Sequence, residues 1–139
     1  MKLNTTLLSF AIVLPLLLVL MAFMSAQQQA KPWNVPASAK NVKNPVKNDT
    51  ENITIGKTLY AKHCRSCHGK AGEGDGTKAA ELETFPGDFS VAKFQDQTDG
   101  EIFYKTSEGR DDMPSFSKKI PNKEDIWALV HYLRSLKAN

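Results

Sequence analysis

The only two cysteines of this 139-residue chain stand three positions apart and run directly into a histidine, Cys64-Arg65-Ser66-Cys67-His68. On one helical turn, two thiols at that spacing can add across the two vinyl groups of a porphyrin while the adjacent imidazole is pinned beneath the iron. Cys-x-x-Cys-His is the sequence signature of c-type haem attachment. Other uses of a Cys-x-x-Cys pair need neighbours that the sequence lacks. A thioredoxin-like redox pair follows a strand inside a βαβ unit, and residues Ile53 to Lys62 read as helical. A zinc site needs a second ligand pair, and the only other histidines are His63 and His131.

The start of the chain points to export. Leu7 to Met24 are eighteen residues without a charge, preceded by Lys2. A membrane-spanning helix needs about 20 apolar residues and a secretory core roughly 7 to 15, so residues 1–26 read either as a signal peptide, with Ala26 at a mediocre cleavage site, or as a retained anchor. Lys2 favours a cytoplasmic N-terminus in both cases. The rest of the chain is then expected outside the cytoplasm, on the periplasmic side of a bacterial membrane, tethered or soluble after cleavage.

Residues 27–50 read as a linker. They are polar, contain Pro32, Pro36 and Pro45, and show no helical or alternating apolar period, which predicts a semi-stiff tether. Four lysines against Asp49 make it basic, whereas residues 51–139 hold thirteen Lys and Arg against fourteen Asp and Glu. The positive charge of the whole chain therefore belongs to leader and linker. No basic face for nucleic acid is expected on the domain; the tether could instead meet anionic lipid headgroups.

Residues 51–139 are expected to form one all-α domain of three to five helices. The first carries Ile55 and Leu59, enters near Asn52 or Thr54 and leads into the cysteine turn. Gly56 inside it, unfavourable by about 1 kcal/mol against Ala, predicts close approach by another element. The loop Gly69 to Gly76 fits no phosphate-binding pattern. A short helix is expected around Lys78 to Glu83, then a turn at Phe85 to Phe89. Thr98-Asp99-Gly100-Glu101 matches a capping box and opens a helix through about Ser107. Pro121-Asn122 announces the last helix, where Ile126, Leu129, Val130, Leu133 and Leu136 recur at helical period, with Tyr132 placed to close onto Gly56 and Tyr60. A small all-α domain has a thin core, so a covalent haem would supply much of its apolar surface, and the apoprotein is expected to be largely unfolded.

His68 would supply one axial ligand to the iron, and the opposite ligand decides what the site does: a strong one leaves only electron transfer, a vacancy permits chemistry. Met1, Met21 and Met24 lie in the leader, so Met113 is the one thioether of the domain, 45 residues after His68 in the polar stretch Gly109 to Phe116. A lone Met is more often a core filler, but a polar loop offers it little to fill. Of its rivals, His63 is too near His68 in sequence to cross the porphyrin, and His131 reads as a satisfied or solvated residue of the last helix.

With the pentapeptide, the Met113-Pro114 loop and the final helix in this order, residues 53–136 resemble class I cytochrome c, especially the small bacterial monohaem kind. The resemblance implies one covalent haem c on Cys64 and Cys67, His68 and Met113 as iron ligands, and a crossing of first and last helices at Gly56, Tyr60, Leu129 and Tyr132. It also implies that the Pro86 carbonyl accepts the free N–H of His68, an outer contact that orients a ligating ring. Leu129 and Phe116 are expected over the haem. Asp111 and Asp112 depart from a simple basic docking face, which Lys118, Lys119 and Lys123 could still provide nearby. The reading is a one-electron carrier, monomeric or a subunit of a redox complex, that exchanges electrons with redox protein partners. The alternative is a haem domain with an open iron position, a small peroxidase-like enzyme or gas sensor, for which Arg110 is the one hint.

Overall fold

In the computed structural model, which describes residues 32–138, short polar side chains start each long helix. The helices are α1 (Ala37–Lys40), α2 (Thr50–His63), α3 (Arg65–His68), α4 (Ala92–Gln95), α5 (Asp99–Glu108) and α6 (Lys123–Ser135), with a 3-10 turn at Ala79–Glu81. No strand occurs among the described residues, so the domain is all-α. The expected leader at 1–26 and the first residues of the expected linker lie outside the described residues.

α2 begins earlier than expected, because the Asp49 carboxylate accepts the Asn52 N–H at 3.1 Å and draws Thr50 and Glu51 into the helix. α5 starts at the expected capping box: Thr98 Oγ1 accepts from Glu101 N at 3.2 Å, and the Glu101 carboxylate accepts from Thr98 N at 2.9 Å. Asn122 caps α6 by accepting from Glu124 N. The helix expected over Lys78 to Glu83 is only the 3-10 turn Ala79–Glu81, too short to bury any side chain.

α2 and α6 cross at Gly56. A Cβ there would run into the backbone carbonyl of Ala128 and lie 2.9 Å from Tyr132 Cβ, so the absent side chain is what lets the backbones meet. One turn on, Tyr60 is fully buried and its ring lies 5.2 Å from that of Tyr132. Tyr60, Phe89, Ile102, Trp127, Leu129, Val130 and Leu133 form the larger apolar cluster. α5 joins through Phe103, whose ring stacks on Trp127 at 4.0 Å. A smaller cluster of Phe116, Ile120 and Ile126 receives Leu59 and Met113.

The segment read as a tether is, over residues 32–49, a strap laid across the helices. Val35 is 7% exposed. Asn44 Nδ2 donates to the Trp127 carbonyl at 3.1 Å, and Thr98 Oγ1 donates to the Lys40 carbonyl at 2.8 Å. A Cβ on Gly100 would strike the Ala39 carbonyl, so α5 receives the strap backbone against its first turn. Pairing of this kind leaves no trace in hydrophobic periodicity, because it is made by isolated polar groups.

Candidate haem-binding site

The first wall of the site is local in sequence. α2 ends at His63, the chain bends at Cys64, and α3 carries Cys67 and His68; the Cys67 and His68 amides both return to the Cys64 carbonyl, at 3.1 and 2.9 Å. The turn is held from below by Tyr60, whose hydroxyl donates to the Gly69 carbonyl at 2.7 Å. Gly69 has φ 84°, and a Cβ there would collide with the Asp75 carboxylate, so the chain can leave the turn sharply only at a glycine. Phe89 stacks on the His68 ring at 4.5 Å, which fixes the plane of the imidazole.

The second wall comes from 45 residues later. Past Gly109 the chain makes a tight turn in which Arg110 N donates to Met113 O at 2.7 Å and Met113 N donates to Arg110 O at 2.9 Å. Asp111 at its tip has φ 51°. The stretch read from the sequence as a polar loop is therefore a closed turn. It is stitched to the end of α5 by Phe116 N donating to Thr106 O and Ser115 Oγ to Ser107 O. Asp112 fastens it to the segment after the 3-10 turn, accepting the Glu83 N–H at 2.8 Å.

Between these walls lies a cleft lined by Cys64, Cys67, His68, Met113, Phe116 and Pro86, among others. Burial pushes the His68 imidazole down to about 4, so the ring is neutral at physiological pH, the form that offers a lone pair to a metal. Its Nδ1 is buried with no hydrogen-bond partner. Burial, and then the neighbouring Cys67, push the Cys64 thiol up to about 12, opposite in direction to the lowered value of an activated redox thiol. Two unpaired cysteines, a neutral buried imidazole and a thioether on one apolar cleft are a donor set that fits haem c.

A family model described as cytochrome C oxidase, cbb3-type, subunit III matches residues 51–133. The chain belongs to that family. It is a small c-type cytochrome, and its cofactor is one covalently bound haem c, for which Cys64 and Cys67 have the attachment spacing. A haem-based electron-transfer role comes with the family. Among solved structures, the cytochrome is similar to a chain of the reducing HAO-like protein complex of Kuenenia stuttgartiensis, with 28% identity and a TM-score of 0.62 over 79% of this chain and 52% of that one. It thus spans about half the length of that chain. No curated relative matches the sequence.

The remaining expected residues fall in different places. Pro86 lines the cleft, but its carbonyl does not receive a bond from His68, whose Nδ1 has no partner. Leu129 is 1% exposed in the cluster between α2 and α6 and is not on the cleft wall; its helical phase points it at Tyr60's side of the crossing. Phe116 does line the cleft, and its ring packs edge-on against His63 at 5.9 Å. His131 is satisfied, with Nε2 at 2.8 Å from the Val46 carbonyl of the strap. Trp33, Leu82, Thr84 and Phe85 also line the cleft, and none was singled out from the sequence. For Trp33 a signal existed: it is the only aromatic residue in the polar stretch 27–50.

Proposed function

We propose that this domain carries single electrons with His68 and Met113 as the two axial ligands and Cys64 and Cys67 as the thioether anchors. One observation carries the reading: the only thioether of the domain, on a turn far from the pentapeptide in sequence, lines the same cleft as His68. When bound, haem supplies one-electron chemistry at iron, at a potential that thioether ligation raises. The chain's own contribution is to hold donors still. Phe89 fixes the His68 ring, the Arg110–Met113 turn fixes the thioether, and Phe116 with the smaller apolar cluster keeps water from that side. Donors that do not move between charge states keep the reorganisation on electron transfer small. The open-position alternative loses its hint, since the Arg110 guanidinium is engaged by the Pro32 carbonyl and by Asp111.

The charge-free run from Leu7 to Met24 after Lys2 supports placement outside the cytoplasm, tethered or released by cleavage. The partners we propose are redox proteins, and the similarity to a chain from a redox complex supports a subunit role as well as a free carrier. The test is spectroscopic. The ferric protein is expected to show the weak near-infrared sulfur-to-iron charge-transfer band, Met113→Ala to lose it, and only the variant to take up carbon monoxide rapidly when reduced. A wild type without the band, or one that binds carbon monoxide as fast as the variant, overturns the ligand assignment.

A further inference from the structure

Trp33 belongs to the strap, yet its indole lines the cleft beside Met113. Two cations hold the ring, Arg110 with its guanidinium carbon 4.4 Å from the centroid and Lys105 with its ammonium at 5.9 Å. The strap backbone adds a second hold, because Arg110 Nη1 donates to the Pro32 carbonyl at 3.0 Å. Arg110 is also the residue whose N–H and carbonyl pair with those of Met113. The strap is thus joined to the thioether turn through one side chain, and Val35, buried two residues later, anchors the strap on the body of the domain.

We propose that Trp33 is a positioning residue that clasps Arg110, keeps the Arg110–Met113 turn closed and shuts the Met113 side of the cleft, so that small ligands reach the iron only when the clasp opens. The inference rests on the reading of Met113 as axial ligand, but the state of the turn can be followed without it. A guanidinium held on an indole face, with a hydrogen bond from the same side chain, resists opening by roughly tenfold in population. Loss of the ring should release the turn by about that factor.

The experiment uses the full haem-loaded protein and its Trp33→Ala, Trp33→Phe and Val35→Ala variants. Amide hydrogen exchange at Arg110 and Met113 is measured alongside carbon monoxide association to the reduced form. Trp33→Ala is expected to speed both about tenfold, Trp33→Phe to fall between it and wild type because a phenyl ring still offers a π face, and Val35→Ala, which loosens the strap but keeps the ring on Arg110, to speed both far less than Trp33→Ala. Unchanged exchange and association in Trp33→Ala overturn the proposal, as does an equal acceleration in Val35→Ala, which would make the strap a general stabiliser. Should Trp33→Ala fail to hold haem, Trp33→Phe decides: intermediate rates support the clasp and wild-type rates reject it. A wild type without the near-infrared band, with exchange still faster in Trp33→Ala, would remove Met113 as ligand and leave the clasp standing.

Discussion

The crossing of α2 and α6 and the turn that presents Met113 belong to one small domain, and they are held by different physics. The crossing is shape: Gly56 lets the two backbones meet, and Tyr60, Phe89, Leu129 and Val130 fill the space around them. The Met113 turn is joinery: paired backbone bonds, a carboxylate on a distant amide, and an arginine under a tryptophan. Shape complementarity fails all at once, whereas a set of separate polar ties loosens one tie at a time. His68 is carried by the first region and Met113 by the second, so the two proposed ligands sit on supports of different stiffness.

The contrast predicts a graded series. Phe89→Ala should cost about 3–5 kcal/mol in denaturant unfolding, as for other large truncations in packed cores; a loss under about 1 kcal/mol would deny Phe89 its place in both the core and the His68 stack. Gly56→Ala should cost about 1–3 kcal/mol from overpacking, although alanine is the better helix former by about 1 kcal/mol, and a stabilised variant would show that the crossing can open. In the second region, Asp112→Ala removes the acceptor for the Glu83 N–H and should change unfolding by less than about 1 kcal/mol while speeding exchange of that amide. A collapse in global stability would erase the distinction between the regions.

The smallest effect concerns the strap. The Thr98 N–H, and beyond it Lys40, hold the Glu101 carboxyl below the usual carboxylate range, and Lys40 Nζ reaches Glu101 at 3.5 Å. A carboxyl whose folded pKa is depressed adds stability that is complete above its unfolded pKa and is lost as pH falls through the folded one. Stability should therefore decline on acidification through the carboxylate range, and Glu101→Gln should flatten that decline by under about 1 kcal/mol. An unchanged slope in the variant would show that the strap end is not held by this charge.

Much of the first region was legible in the sequence. The pentapeptide, the stripe from Ile126 to Leu133 and the Thr98–Glu101 box are local patterns whose geometry follows from helical repeat, and all three appear where the residues place them. Gly56 was readable because a costly residue inside a helix needs a reason. What was not legible has one cause: which side of a buried helix meets a cleft, as for Leu129, and where one carbonyl points, as for Pro86, depend on how separate stretches pack. The strap was misread for the same reason. Its partners are the Trp127 carbonyl, the Thr98 hydroxyl and the His131 ring, and single polar contacts of this kind follow no sequence period from which they could be foretold.

The chain's residues alone decided the attachment turn, the all-helical class and the candidate donors, because each rests on groups within a few positions of one another. Only the folded arrangement decided that Met113 shares a cleft with His68 and that Trp33 joins them there. Those meetings span tens of residues, and their free energy comes from packing and burial that no single segment contains.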